Sequence, residues 1–402
     1  MKRTALFVFT LITLVVLWNC AIPDGSNTIT ALEKSVMERE NAFAWQIFPA
    51  LNGLQEDENI LISPFSISTA LSMTYNGARG ETKTAMAEVL GFSDISVDDV
   101  NRAYRNLITY LGTADENVTL NIANSIWYDE IFSIVPEFLG LNRDDYDAEV
   151  TALDFRDPAS VDVINQWVSD KTNEKIETII DAIPASALMY LINALYFKAA
   201  WTWEFDPELT ENMTFYNDDG STAMVPMMNT NADLDYYMEN NHQILDLPYG
   251  DGKYSMTIIL PAYNKDINTF IAEMTHSTWN SLITGFPEEK TPVDVYLPRF
   301  TLEYNMKLKN VLSALGMDIA FEESADFSGI YAPGGIWIND VYHKTFMEVS
   351  EEGTEAAAAT AVEMVRESAD PAIMLNRPFL FVIREKESGT IFFMGKVLNI
   401  ED

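Results

Sequence analysis

The chain has 402 residues, of which 61 are Asp or Glu and 25 are Lys or Arg, for a formal charge of −36. Hydrophobic residues make up 48% and aromatics 12%, enough apolar material for a large core, which rules out disorder for the bulk of the chain. The charge repels nucleic acid, heparin-like polymers and anionic membrane surfaces, which leaves solubility or adaptation to a salty medium as its plain meaning.

In chain order, Lys2 and Arg3 precede an apolar run from Ala5 to Trp18. A charged start and a run of that length make an export leader, too short to span a membrane comfortably. The single cysteine, Cys20, follows directly, so the fold gains no internal disulfide and rests on core packing. Leu17-Trp18-Asn19-Cys20 resembles the lipobox of bacterial lipoproteins, although Asn19 stands where that pattern prefers a small residue. The resemblance implies cleavage before Cys20 and a lipid on its sulfur. The other reading is an ordinary secretory leader with an incidental cysteine. Residues 1–19 are then the leader and 20–29 a flexible tether carrying Pro, Gly, Ser and Asn.

Beyond the tether, Leu32, Val36, Phe43 and Ile47 recur at helical spacing. Ser63-Pro64 reads as the cap and first-turn proline of a second helix. Leu120, Ile122 and Ile126 alternate as a strand with one buried face. Trp167, Lys171 and Lys175 fall within a longer helical stretch, and Asp294 to Leu302 is again strand-like. Phe379 to Arg384 and Thr390 to Val397 are apolar strands joined by a Glu387-Ser388-Gly389 turn. Helices lead and strands dominate the second half. No repeat or linker divides residues 30–402. The class is therefore α+β in one large domain, where length alone suggests two or three.

Enzyme signatures are missing. There is no G-x-S-x-G, H-E-x-x-H, C-x-x-C, P-loop or G-x-G-x-x-G pattern. The three histidines are His242, His276 and His343. So many carboxylates guarantee accidental acidic pairs, and none of the patterns of a metal or cofactor site appears.

Residues 351–365 stand out. Four consecutive alanines favour a helix preceded by Gly353. A second periodicity fits as well: Thr354, Ala356, Ala358, Thr360, Val362 and Met364 form a small or apolar face, with Glu355 and Glu363 opposite. That is a strand able to slide into a crowded sheet, with Gly353 as a permissive hinge. A segment compatible with loop, helix and inserted strand suits a switching element.

The run Glu351 to Thr360 closely resembles the reactive-loop hinge of inhibitory serpins, and the resemblance extends over nearly all of residues 30–400. Asn59-Ile60-Leu61-Ile62-Ser63-Pro64-Phe65-Ser66 is similar to that family's second helix with its lead-in strand. Asn193 to Trp201 is similar to its central strand ending in the breach tryptophan. Leu247-Pro248-Tyr249, Leu297-Pro298-Arg299-Phe300, Asn376-Arg377-Pro378-Phe379 and Phe393-Met394-Gly395-Lys396-Val397 follow in the family's order.

The resemblance implies a fold of about nine helices and three β-sheets with an exposed reactive loop, here about 351–375. It implies a monomeric protease inhibitor that is not an enzyme and needs no cofactor. A target serine protease, or in some cases a cysteine protease, attacks the loop and is trapped as an acyl-enzyme when the cut loop enters the main sheet. The hinge residues are Glu351, Gly353, Thr354, Ala356, Ala358 and Thr360. Ser63, Ser66, Asn193 and His343 match the polar shutter beneath the sheet. Arg299, paired with Glu351, and Trp201 match the breach at its top. The reactive bond lies fourteen residues after Gly353, at Glu367-Ser368; a loop one residue shorter makes it Arg366-Glu367, and Met364 or Val365 would suit elastase-like or subtilisin-like enzymes. No Lys/Arg cluster marks the fourth-helix region, so no heparin-like cofactor is expected. Membrane attachment is expected only through a lipid on Cys20. The alternatives are a non-inhibitory serpin fold used for binding or as a chaperone-like lipoprotein, and an envelope hydrolase.

Overall fold

In the computed structural model, which describes residues 28–184, 186–354 and 370–401, the first helix is α1 (Ala31–Asn52). Thr30 caps it. Its hydroxyl accepts the Leu32 N–H at 3.2 Å, and the Glu33 carboxylate returns to the Thr30 N–H at 2.9 Å, a reciprocal arrangement that satisfies otherwise orphaned donors. Val36, Phe43 and Ile47 are buried and Leu32 packs at the edge of the same core, as the spacing predicts. There follow β1 (Ile60–Ile62), α2 (Pro64–Tyr75), α3 (Gly80–Leu90) and α4 (Val97–Leu111). Ser63 caps α2 by accepting the Ser66 N–H at 3.2 Å, with Pro64 in the first turn where its missing N–H costs nothing.

The middle of the chain forms β2 (Val118–Asp129), α5 (Pro136–Tyr146), β3 (Ala148–Leu153), α6 (Ala159–Lys171) and β4 (Met189–Ala200). The alternation of β2 fades after Ile122 because α6 covers its outer face, with Trp167 set edge-on to Trp127 at 5.9 Å between ring centroids. The helical stretch expected to hold Trp167, Lys171 and Lys175 does not reach Lys175. α6 stops at Lys171, and Asn173 and Glu174 both take positive φ, which a right-handed helix excludes.

The second half supplies β5 (Glu211–Tyr216), β6 (Thr222–Glu239), β7 (His242–Tyr249), β8 (Tyr254–Leu260), α7 (Ile267–Glu273), α8 (His276–Thr284), β9 (Thr291–Pro298), β10 (Phe300–Lys307), α9 (Lys309–Leu312), β11 (Tyr342–Val349), β12 (Gly353–Thr354), β13 (Ala372–Met374), β14 (Phe379–Glu385) and β15 (Ile391–Val397). The stretch 294–302 is two strands rather than one. The chain leaves one sheet at Pro298, which has no N–H to donate, and the Arg299 N–H turns to Pro226 O at 2.8 Å before β10 enters the other sheet. The apolar pair near the end is the expected hairpin, β14 to β15.

Six strands lie in the order β10-β11-β12-β4-β2-β3, and nine follow the path β1-β15-β14-β8-β7-β6-β9-β13 with β5 on β6. The long β6 is shared: its end pairs with β7, its middle with β9 and its start with β5. It thereby divides the nine-stranded path into two sheets, and the molecule has three, with nine α-helices among the described residues. The main core lies between the six-stranded sheet and the β14–β15 hairpin, where Phe197 approaches Phe393 and Phe65 packs on Phe392. In the six-stranded sheet, among the described residues, no ladder joins β4 to β11 directly, and only the two residues of β12 lie between them. No helix among the described residues is long and apolar enough to cross a membrane.

A buried carboxyl tunes the stability of the helical side. Glu40 of α1 accepts a hydrogen bond from the Tyr104 hydroxyl, which in turn receives one from Ser72 at 3.1 Å. Burial pushes the Glu40 carboxyl up from 4.5 to about 7, against hydrogen bonds from Ser68 and Tyr104. The folded state thus holds a proton that the unfolded state releases, and stability falls as pH rises from the ordinary value through 7. The loss is about 3 kcal/mol by pH 8. Glu40→Gln removes this slope: its denaturant midpoint exceeds that of the parent at pH 8 and matches it near pH 4. Equal differences at both pH values would refute the assignment.

Candidate functional site

β4 and β11 run side by side, and the turn after β11 folds back between them. The Ser350 N–H donates to Gly353 O at 2.9 Å, which closes the turn. Thr354 then pairs with Val349 on one side and Ala199 on the other, while Gly353 pairs with Ala200. Gly353 has φ +148°, and a Cβ there would lie 2.1 Å from Ala199 O, so only glycine admits this approach. Thr354 is 2% exposed, and its hydroxyl lies 2.8 Å from that of Tyr249. Burial pushes the Tyr249 phenol far up, so it stays neutral.

The mouth of this slot is braced from above. Trp201 stacks on Tyr249 with centroids 4.3 Å apart, and its indole N–H donates to Ser350 O at 3.0 Å. Backbone N–H groups of Trp201 and Phe205 donate to the carbonyls of Glu352 and Glu351, each at 2.9 Å. The Glu351 carboxylate accepts from Arg299 Nε at 3.1 Å and from its Nη2, and from the Thr210 hydroxyl at 2.8 Å. Burial works against its charge, but these bonds and one from its own backbone hold the carboxyl below the usual range. The Arg299 side chain is about half exposed, so the pair contributes at most about 1 kcal/mol.

Farther along the slot sits a polar cluster. The Ser63 N–H donates to His343 Nε2 at 3.0 Å, which places the ring proton on Nδ1. His343 is 5% exposed, and burial drives its pKa from 6.5 down to about 3. Ser66 donates its hydroxyl to Asn193 Oδ1. Asn193 donates to Asn124 Oδ1 at 2.7 Å, and Asn124 to Tyr146 O at 2.6 Å. Thr345 joins from β11 by donating to Leu61 O at 2.7 Å. The cluster thus ties α2 to both strands flanking the slot.

The structure brings Glu351, Gly353, Thr354, Trp201 and Arg299 together at one end, and Ser63, Ser66, Asn193 and His343 at the other. Cys20, Ala356, Ala358, Thr360, Arg366, Glu367 and Ser368 lie outside the described residues. Asn124, Thr345 and Thr210 join the site without having been expected there, and Tyr249, quoted above only as part of the Leu247-Pro248-Tyr249 motif, forms its wall. Asn124 had a signal: it occupies the inward position between Ile122 and Ile126, where an unpaired amide would be costly. Thr210 had none, because its partner Glu351 is far along the chain.

The model of the family "Serpin (serine protease inhibitor)" matches residues 38–400. The chain is a serpin. An uncharacterized serpin-like protein of Thermococcus kodakarensis is 36% identical over 380 residues, covering 92% of this chain and 87% of its own. The leukocyte elastase inhibitor of Xenopus tropicalis is 34% identical, with 88% of this chain and 96% of its own covered. The native-state structure of the thermophilic serpin tengpin superposes with a TM-score of 0.84 at 35% identity, covering 93% of this chain and 95% of its own. The serpin fold accounts for the three sheets. The slot between β4 and β11, started by Gly353 and Thr354, is its candidate working part here.

Proposed function

We propose that this serpin is a suicide-substrate inhibitor of serine-type endopeptidases. The observation that carries the reading is β12: two residues already seated between β11 and β4, in register with both. Continued in the same antiparallel register, an entering strand would set Ala356 beside Phe197, Ala358 beside Leu195, Thr360 beside Asn193 and Val362 beside Leu191. On its other flank Thr360 would meet His343. These even-numbered residues share the face of Thr354, toward the core, and all are small or apolar. Glu355 would face outward beside Lys198. A sequence built to be threaded through a sheet has this form, since one unpaired charge on the inner face would cost several kcal/mol.

The chemistry belongs to the target. Its serine Oγ attacks the carbonyl carbon of Glu367, and the bond to the Ser368 nitrogen breaks. That nitrogen leaves with a proton, and an ester links enzyme to loop. Insertion of residues 355 onward then carries the enzyme along the sheet before water can cleave the ester. Glu367-Ser368 is the assigned reactive bond and selects an acid-preferring protease; Arg366-Glu367 selects a trypsin-like one. Glu351, Arg299 and Trp201 hold the slot mouth, and Ser63, Ser66, Asn193 and His343 latch its middle. The serpin domain spans residues 30–402 and acts as a monomer, exported behind the 1–19 leader and held at the cell envelope by a lipid on Cys20. Support for the target class comes from the family description and from the relative named for elastase.

The test is incubation of the purified protein with glutamate-specific, trypsin-like, elastase-like and subtilisin-like proteases. A denaturant-stable band at the summed mass, with a new terminus at Ser368 or Glu367, is expected. Loop cleavage with no covalent complex across the panel, and no gain in melting temperature on cleavage, would refute inhibition.

A further inference from the structure

The far end of the slot opens into a cavity of about 250 Å³. Its walls come from the first residues of both flanking strands, Tyr190 and Leu191 of β4 and Tyr342 of β11, and its floor from Leu71 of α2 and Ile330. The Tyr190 and Tyr342 rings pack against each other with centroids 6.4 Å apart and planes tilted by 42°. Trp337 lines the rim and is 44% exposed, an unusual position for so large an apolar ring. Two side chains with polar groups, the half-buried Tyr342 and the exposed Asn339, also line it. Asp340 adds a carboxylate there, with one oxygen bonded to the Val341 N–H at 2.9 Å.

We propose that this cavity binds a small neutral aromatic molecule of two fused rings carrying one hydrogen-bonding group. A cavity of about 150 Å³ lined by apolar side chains takes benzene, so the present volume suits one more ring. Aromatic walls favour a flat ligand by edge and face contacts. The Tyr342 hydroxyl and the Asn339 amide receive its polar group, and the Asp340 carboxylate with the overall charge of −36 excludes anions.

The position has a consequence that rests on the inhibitor reading. In the register of β12, residues 361–364 of an entering strand would pass beside Met189 to Ile192, through the space the ligand fills. Ligand and completed insertion therefore compete.

Calorimetric titration of the purified protein with indole and 2-naphthol tests the site. For ligands of this size a dissociation constant on the order of 10–100 µM is expected. The anion 2-naphthoate should bind at least about tenfold more weakly. Ala70→Phe, which fills the floor, should abolish binding, and Trp337→Ala, at the exposed rim, should weaken it about fivefold or more. Absence of saturation below about 1 mM, or unchanged affinity in a folded Ala70→Phe protein, would overturn the site. If Ala70→Phe does not fold, unchanged affinity in Trp337→Ala decides against it. Protein cleaved in its loop should no longer bind either probe. Equal binding before and after cleavage would overturn the competition alone, and the covalent-complex assay reads the inhibitor assignment separately.

Discussion

If the protein inhibits as proposed, Thr354→Arg is expected to turn it from an inhibitor into a substrate. Position 354 is enclosed by Val349, Ala199 and Tyr249, and the threonine hydroxyl already has its partner in Tyr249. A guanidinium at a position 2% exposed would lose its water, so it is expected to stay out of the slot. A penalty of about 3 kcal/mol on the inserting state slows insertion about 100-fold, while hydrolysis of the acyl-enzyme proceeds at its own rate. Partition then shifts to cleaved, released loop. Titration against a protease that the parent traps should show the covalent band replaced by clean cleavage. Thr354→Val, which loses only the hydroxyl contact, should retain most of the trapping. Full stoichiometric trapping by Thr354→Arg would mean that the strand enters in another register.

Acid should weaken the latch at His343. Its ring is neutral in the folded protein because burial holds the pKa near 3, against 6.5 when exposed. A state in which the ring reaches water binds a proton that the folded state refuses. The sign follows: stability is complete above 6.5 and is lost as pH falls toward 3, by about 3 kcal/mol at pH 4. Protonated Nε2 cannot accept the Ser63 N–H, so the first turn of α2 is released from β11 at the same time. Denaturant midpoints between pH 7 and 4 should fall more steeply for the parent than for His343→Gln, whose amide oxygen can accept the bond without titrating. Identical slopes in the two proteins would show that His343 is not the titrating group. Glu40 acts in the opposite direction over part of this range, so the comparison is between variants at each pH.

Both ends of the slot were legible to different degrees. Gly353 and Thr354 stand out locally, because a run of small residues after a glycine is visible without any partner. Ser63 and Pro64 announced the start of α2 through cap chemistry that needs only adjacent residues. The link between Ser63 and His343, by contrast, joins residues 280 positions apart and has no local sign. Lys175 was misplaced for a related reason. A helical period extends smoothly on paper past Lys171, while the left-handed pair Asn173 and Glu174 is set by packing of the loop against β4 and β11. There Lys175 lies over the Phe346 ring and reaches Glu348.

What the sequence determined by itself is the α+β class, the terminal hairpin and the cap of α2. Side-chain period and cap chemistry are short-range properties, carried by a few neighbouring residues. Only the tertiary structure decided that residues 294–302 split between two sheets at Pro298, that Thr354 is clasped by β4 and β11, that His343 loses its charge, and that a cavity remains where those strands begin. Each of these depends on desolvation or hydrogen-bond pairing by elements distant in the chain, and no local pattern encodes which distant element will arrive.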